Sequence, residues 1–166
     1  MENKNYLDKI INSFFNKTKL TVFGFFILGF ILRLIAARNI GVSADDSGHA
    51  IAPIGIFGSE KLGNWAQSTT LWYYMQGVFY KVFGLSQIGS RFTNILFGSL
   101  LVILMFVFVK KAFKSEKAAL ISSFLVAISP GLIRQTLPEM DVSVSFFLIL
   151  SAYFLFNYFE LKNNKK

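Results

Sequence analysis

LTVFGFFILGFILRLIAA, residues 20–37, is an apolar run whose one charge, Arg33, falls near its far end. A helix of that length comes close to the ~30 Å thickness of a bilayer's hydrocarbon core. The run has no small-residue cleavage pattern of the A-x-A type, so it reads as a retained first membrane span, not a signal peptide. Residues 1–19 carry Lys4, Lys9, Lys17 and Lys19, with Tyr6, Leu7, Ile10, Ile11, Phe14 and Phe15 between them. They read as a cytoplasmic N-terminal segment with a short interfacial amphipathic helix. Arg38 and Asn39 mark the exit. Arg33 is open to two readings, an interface anchor that snorkels to water or an anion-facing residue in a cavity.

The whole chain agrees with this start. Of its 166 residues 54% are hydrophobic and 17% aromatic, with 20 Phe, and the mean hydropathy is +0.52, which is too apolar for an ordinary soluble domain. The absence of cysteine excludes disulfides, thiol catalysis and Cys-based zinc sites. A net charge of +8 raises nucleic acid as a partner, but that needs basic residues patched on a polar face. Here 11 of the 17 basic residues are lysines in three clusters beside apolar runs, at 4–19, 110–117 and 162–166. They read as topology signals, and no nucleic acid is expected.

Three further spans are expected, at about 91–109, 115–133 and 142–161, entered or ended by Lys110-Lys111, Ser115 and Pro130-Gly131. Residues 38–90 form an outer loop too polar and glycine-broken to span, yet too apolar to be a linker. Two interfacial helices are expected in it, over about 45–57 and 70–83, the second rich in Trp and Tyr and closed by Gly84. The fold class is therefore all-α, a polytopic integral membrane protein with four transmembrane helices, forming one module over residues 20–161 with a basic tail at 162–166. The positive-inside rule puts both termini and the 110–117 loop in the cytoplasm. The first and third connections, and with them all four arginines (33, 38, 91 and 134), then lie at the outer level.

Those two connections hold the candidate chemistry. In Ala44-Asp45-Asp46-Ser47-Gly48-His49-Ala50 a helix starting near Ser43 puts Asp45 and Asp46 four and three residues before His49, on neighbouring surface. An acidic pair there can act as general base or metal ligand. The same residues also have capping-box spacing, and the helix dipole favours acids in a first turn. In Arg134-Gln135-Thr136-Leu137-Pro138-Glu139-Met140-Asp141 the outer residues can equally anchor and cap the flanking spans. Two acidic clusters and arginines on one side of a membrane suit a lipid-linked phosphate donor: arginine grips phosphate while a carboxylate deprotonates an acceptor hydroxyl. No Gly-rich nucleotide loop, Ser-His-Asp pattern or His-rich metal motif competes.

The order of Arg33, Ala44–Ala50, Leu71-Trp72-Tyr73-Tyr74, Lys81-Val82-Phe83-Gly84, Ser90–Gly98, Ala118–Pro130, Arg134 and Pro138-Glu139-Met140-Asp141 resembles the N-terminal part of the membrane-embedded GT-C glycosyltransferases. Within them it is similar to the dolichyl-phosphate-mannose protein mannosyltransferase and aminoarabinose transferase group. The resemblance implies sugar transfer from a polyprenyl-phosphate donor to a protein, lipid or glycan hydroxyl on the outer face. It implies Asp45 as base, with Asp46 where Asp-Glu is commoner, and Glu139 or Asp141 as the second-loop acid. Asp46 and His49 would position donor or acceptor, Arg91 and Arg134 would meet the phosphate, and Arg33 is a further substrate-binding candidate. No cofactor is fixed. The Glu-x-Asp spacing resembles a metal-binding pattern of related oligosaccharyltransferases, so a divalent cation, if used, would fall to Asp45, Glu139 and Asp141.

Family members usually continue through several more spans, so the chain is expected to be truncated or one part of a split enzyme, with membrane lipid and a second chain completing it. The plasma membrane of a prokaryote is the expected location. The rivals are a four-span transporter or flippase of lipid-linked sugars and a non-catalytic membrane subunit.

Overall fold

The computed structural model describes residues 17–41, 44–57, 70–136 and 141–163, with the side chains of 44–46, 55–57, 70 and 163 left aside. The expected amphipathic leader, the Ser43 cap and Glu139 lie outside the described residues. All described elements are helical: α1 Lys17–Asn39, α2 Ala44–Phe57, α3 Thr70–Phe83, α4 Gln87–Phe113, α5 Glu116–Ile128, α6 Pro130–Arg134 and α7 Asp141–Asn163. Three of them, α1, α4 and α7, are long and apolar enough to cross a membrane. The protein is thus an all-α integral membrane protein, with the large side chains of α1 and α7 turned outward (Phe23, Ile31 and Ile35; Leu148, Phe154 and Leu155).

The remaining expected span, 115–133, is not one helix. Ser129 interrupts it, leaving the 13-residue α5 and the 5-residue α6. Thirteen residues rise only about 20 Å. Pro130 causes the break, because it opens α6 and has no N–H to give the carbonyl of Val126 four residues back. Among the described residues three helices are long and apolar enough to span, and the remaining expected span is made of two shorter pieces. The two pieces together still carry the chain from one end of the bundle to the other, as the end contacts show. At one end Thr18 of α1 donates to Glu116 of α5 at 2.5 Å, Lys110 of α4 pairs with Glu116 at 2.9 Å, and Lys111 of α4 pairs with Glu160 of α7. At the other end Arg91 of α4 meets the end of α1, and Ser143 of α7 meets Asn94 of α4.

Local chemistry explains the boundaries. Ser86 caps α4 by accepting from Gly89 N at 3.1 Å, and Ser115 caps α5 by accepting from Ala118 N at 3.3 Å. α3 stops at Gly84, whose φ of 69° is open to glycine at little cost. The next turn is tight: a Cβ on Gly89 would lie 2.3 Å from the Gly84 carbonyl oxygen.

α4 is the central post, packed by α1, α3, α5 and α7. Small residues let its neighbours approach, as is usual where lipid provides no hydrophobic drive between helices. Ala119 and Ala127 of α5 are fully buried, and Ser123 of α5 donates to the Val102 carbonyl at 2.8 Å. Inside the bundle, towards the end where the first span exits, Arg33 is 0% exposed. Its guanidinium donates to the carbonyls of Val126 at 3.1 Å, Ala127 at 3.5 Å and Gly29 at 3.0 Å. The Val126 carbonyl is the one that Pro130 leaves without a donor, so Arg33 closes the end of α5 and sits at its negative dipole end. Neither reading of Arg33 from the sequence, snorkelling anchor or anion-facing group, included this arrangement.

Room for the guanidinium comes from Gly29 and Gly98, where an added Cβ would lie 2.9 Å from Arg33 Nη1 and 2.6 Å from Arg33 Nε. Gly98→Ala is therefore expected to lower thermal stability in detergent by about 1–3 kcal/mol, the usual effect of overpacking. Gly24→Ala, where a Cβ meets nothing within 4 Å, should leave stability within about 0.5 kcal/mol or raise it. Equal effects at both sites would contradict the wedge.

Candidate functional site

The candidate site residues fall on the end of the bundle where α1 leaves, α2 begins and α7 begins. Arg91 fixes the first of these points. It is 0% exposed, and its guanidinium donates to the carbonyls of Ala37 at 2.5 Å, Ile40 at 2.9 Å and Gly41 at 3.3 Å. These belong to the last turn of α1 and the residues just beyond, which have no helical donors left. Gly41 is three residues before Ala44, the first residue of α2. Arg91 thus sets where the Asp45-Asp46 segment starts, with its described hydrogen bonds spent on main-chain oxygens.

Asp45 and Asp46 stand in the first turn of α2. Helix α2 is held further along by α3. His49 Nδ1 lies 2.7 Å from the Tyr73 hydroxyl, its ring stacks on Tyr73 at 6.0 Å, and the edge of Trp72 meets it at 6.1 Å. One turn on, Pro53 sits buried inside α2 and breaks its hydrogen-bond ladder. Tyr80 of α3 donates to the Ala50 carbonyl in that turn at 2.5 Å. Burial pushes the Tyr80 phenol up to about 12, against smaller opposing effects of hydrogen bonds with Ser90 and Gln76, so it stays a donor at physiological pH. Burial likewise pushes the Tyr73 phenol up.

From α3 the contacts run on to the second connection. Trp72 Nε1 donates to Asn94 Oδ1 at 3.2 Å, and Ser143 Oγ of α7 donates to the same oxygen at 3.1 Å. Gln76 Nε2 donates to the Ser90 carbonyl at 2.7 Å. Asn94 thereby ties the α2–α3 pair to the first turn of α7, where Asp141 is exposed. Arg134, at the end of α6, is exposed as well.

The described structure therefore links His49 to Tyr73 and Trp72, and through Asn94 to the start of α7. Asp141 and Arg134 are left at the surface, while Arg33 and Arg91 are inside and bound to main-chain carbonyls. The distance from Asp45 or Asp46 to Glu139 involves residues outside the described set. Among the described residues no three His, Cys, Asp or Glu side chains gather as a metal site, and only Asp141 of the three expected ligands has a described side chain. Sequence reasoning missed Tyr73, Asn94, Tyr80 and Ser143 as supporting residues. The signal available was the density of Trp and Tyr on α3, read as headgroup anchoring alone.

Asn94→Ala removes the acceptor shared by Trp72 and Ser143. It is expected to destabilise the fold by about 1–3 kcal/mol and, in a Trp65→Phe background, to shift Trp72 fluorescence to the red as the indole loosens. An unchanged spectrum and melting point would show that Asn94 does not carry the link.

Residues 61–166 match the family of dolichyl-phosphate-mannose-protein mannosyltransferases. The match begins after Asp45, Asp46 and His49. An uncharacterised protein of Aquifex aeolicus (strain VF5) is 31% identical over 93 residues, covering 54% of this chain and 18% of that protein. The chain thus spans less than a fifth of the curated relative it matches. No solved structure matches it. Because the family match takes in more than half of its residues, the chain belongs to the dolichyl-phosphate-mannose-protein mannosyltransferase family.

Proposed function

We propose that the chain is the N-terminal catalytic module of a glycosyltransferase that moves a sugar from a polyprenyl-phosphate donor to a hydroxyl acceptor at the end of the bundle carrying Asp45. Membership of the mannosyltransferase family supports this reading. The observation that carries it furthest is the run of contacts from His49 through α3 and Asn94 to Ser143, which joins the helix bearing the first acidic pair to the helix opened by Asp141. The lysine clusters support an outer location for this end and cytoplasmic termini.

In the proposed reaction Asp45 accepts the proton of the acceptor hydroxyl, whose oxygen forms a bond to the anomeric carbon. The bond from that carbon to the phosphate oxygen breaks, and polyprenyl phosphate leaves with the electron pair. Asp46 and His49 position the reactants, and Glu139 and Asp141 supply the second-loop acids. Arg134, exposed beside that connection, meets the phosphate as its charge grows. Arg33 and Arg91 serve by fixing the helix ends. A second chain or further spans would enclose the donor lipid.

The test is transfer from a labelled polyprenyl-phosphate sugar in membranes holding the complete assembly. Asp45→Asn is expected to lower turnover by about 10²–10⁴-fold, the usual contribution of a general base. Arg134→Lys keeps the charge but loses the forked grip, and should raise the donor KM by about tenfold. Unchanged turnover in Asp45→Asn would remove Asp45 as the base. Donor binding without transfer, the same in wild type and variant, would favour a lipid-sugar transporter.

A further inference from the structure

At the opposite, lysine-rich end an open groove of about 440 Å³ runs between α4 and α7, lined by Phe106, Val107, Lys110, Lys111, Lys114, Tyr153 and Glu160. The transferase reading uses none of these residues. The lining is layered along the helix axes. Phe106 and Val107 lie one to two turns deeper on α4 than the lysines, and Tyr153 lies about two turns deeper on α7 than Glu160. Its floor is aromatic and apolar, and its rim is charged.

The rim carries three lysines against one glutamate. Lys111 is tied across the groove to Glu160, and Lys110 pairs with Glu116 at 2.9 Å while its Nζ lies 5.4 Å from the centre of the Phe106 ring. Lys114 is exposed, lies near enough to Glu160 to act on its carboxylate alongside Lys111, and forms no close salt bridge among the described residues. It also has the positive φ of 51° at the C-cap of α4, a position where glycine or asparagine is the usual choice and a lysine is mildly strained.

We infer that this groove holds one anionic phospholipid, its phosphate at Lys114 and Lys110 and the start of its acyl chains against Phe106, Val107 and Tyr153. Both an anionic headgroup and a small free phosphate would suit the rim. The apolar floor suits only a ligand with a hydrocarbon tail, and the volume lies in the range of small-molecule sites, ~300–1,000 Å³. Basic pockets between membrane helices bind anionic headgroups by the same logic.

The full chain, stripped of lipid in mild detergent, is titrated with dioleoylphosphatidylglycerol, dioleoylphosphatidylcholine and soluble glycerol 3-phosphate, and retention is read by native mass spectrometry. One phosphatidylglycerol should stay bound, phosphatidylcholine should not, and glycerol 3-phosphate should fail to displace the lipid. Lys114→Gly suits the backbone it replaces, so its melting point should hold or rise while retention falls about fivefold. Lys117→Gln removes the same charge outside the groove and should leave retention within about twofold. Equal retention of both lipids, an equal loss in Lys117→Gln, or unchanged retention in Lys114→Gly would overturn the site. Displacement by glycerol 3-phosphate would make it a small-anion site and overturn the lipid.

Discussion

Two guanidinium groups buried against main-chain carbonyls are the constraint from which the rest of this bundle follows. In a bilayer no water reaches a broken helix, so each carbonyl freed by a helix end needs a donor from the protein itself. Arg33 supplies it to the end of α5, where Pro130 removes the normal donor, and Arg91 supplies it to the end of α1. Arginine can do this because its flat fork offers five donors in fixed directions. The negative ends of the two helices offset the charge. Gly29 and Gly98 are needed as a result, since a side chain at either would occupy the space of the Arg33 head.

These contacts give the candidate site its frame. Arg91 fixes the exit of α1 just before Asp45, while Asn94, one turn further along α4, accepts from both α3 and α7. One stretch of α4 therefore registers both connections that carry acids. A transferase gains from such an arrangement because a base must sit within hydrogen-bond reach of the acceptor it deprotonates, and loose loops hold such geometry poorly. The aromatic stack of His49 with Tyr73 and Trp72 serves the same end with rigid rings.

Much of the fold was legible in the sequence. Apolar runs gave α1, α4 and α7, and single residues gave the ends, Ser115 as an N-cap and Gly84 as the left-handed stop. The break at Ser129 was signalled by Pro130, but the apolar run through Ile133 reads as one span when hydropathy alone is counted. The buried roles of Arg33 and Arg91 were not legible, because their acceptors lie 93 and 54 positions away and a carbonyl has no sequence signature. For the same reason local spacing could show that Asp45, Asp46 and His49 share a helix surface, but not that His49 faces Tyr73. Sequence order and family likeness, not geometry, brought Glu139 and Asp141 into the candidate site.

The central claim is that the acidic start of α2 and the acidic segment before α7 face one cleft. A chain without cysteine allows a clean test: cysteines at 45 and 139 are joined with a short bifunctional maleimide in membranes, beside a control pair at 49 and 73, whose side chains touch. The expected result is efficient cross-linking of both pairs, with the 45–139 link suppressed by a polyprenyl-phosphate sugar. Cross-linking of the control pair alone would contradict a shared site.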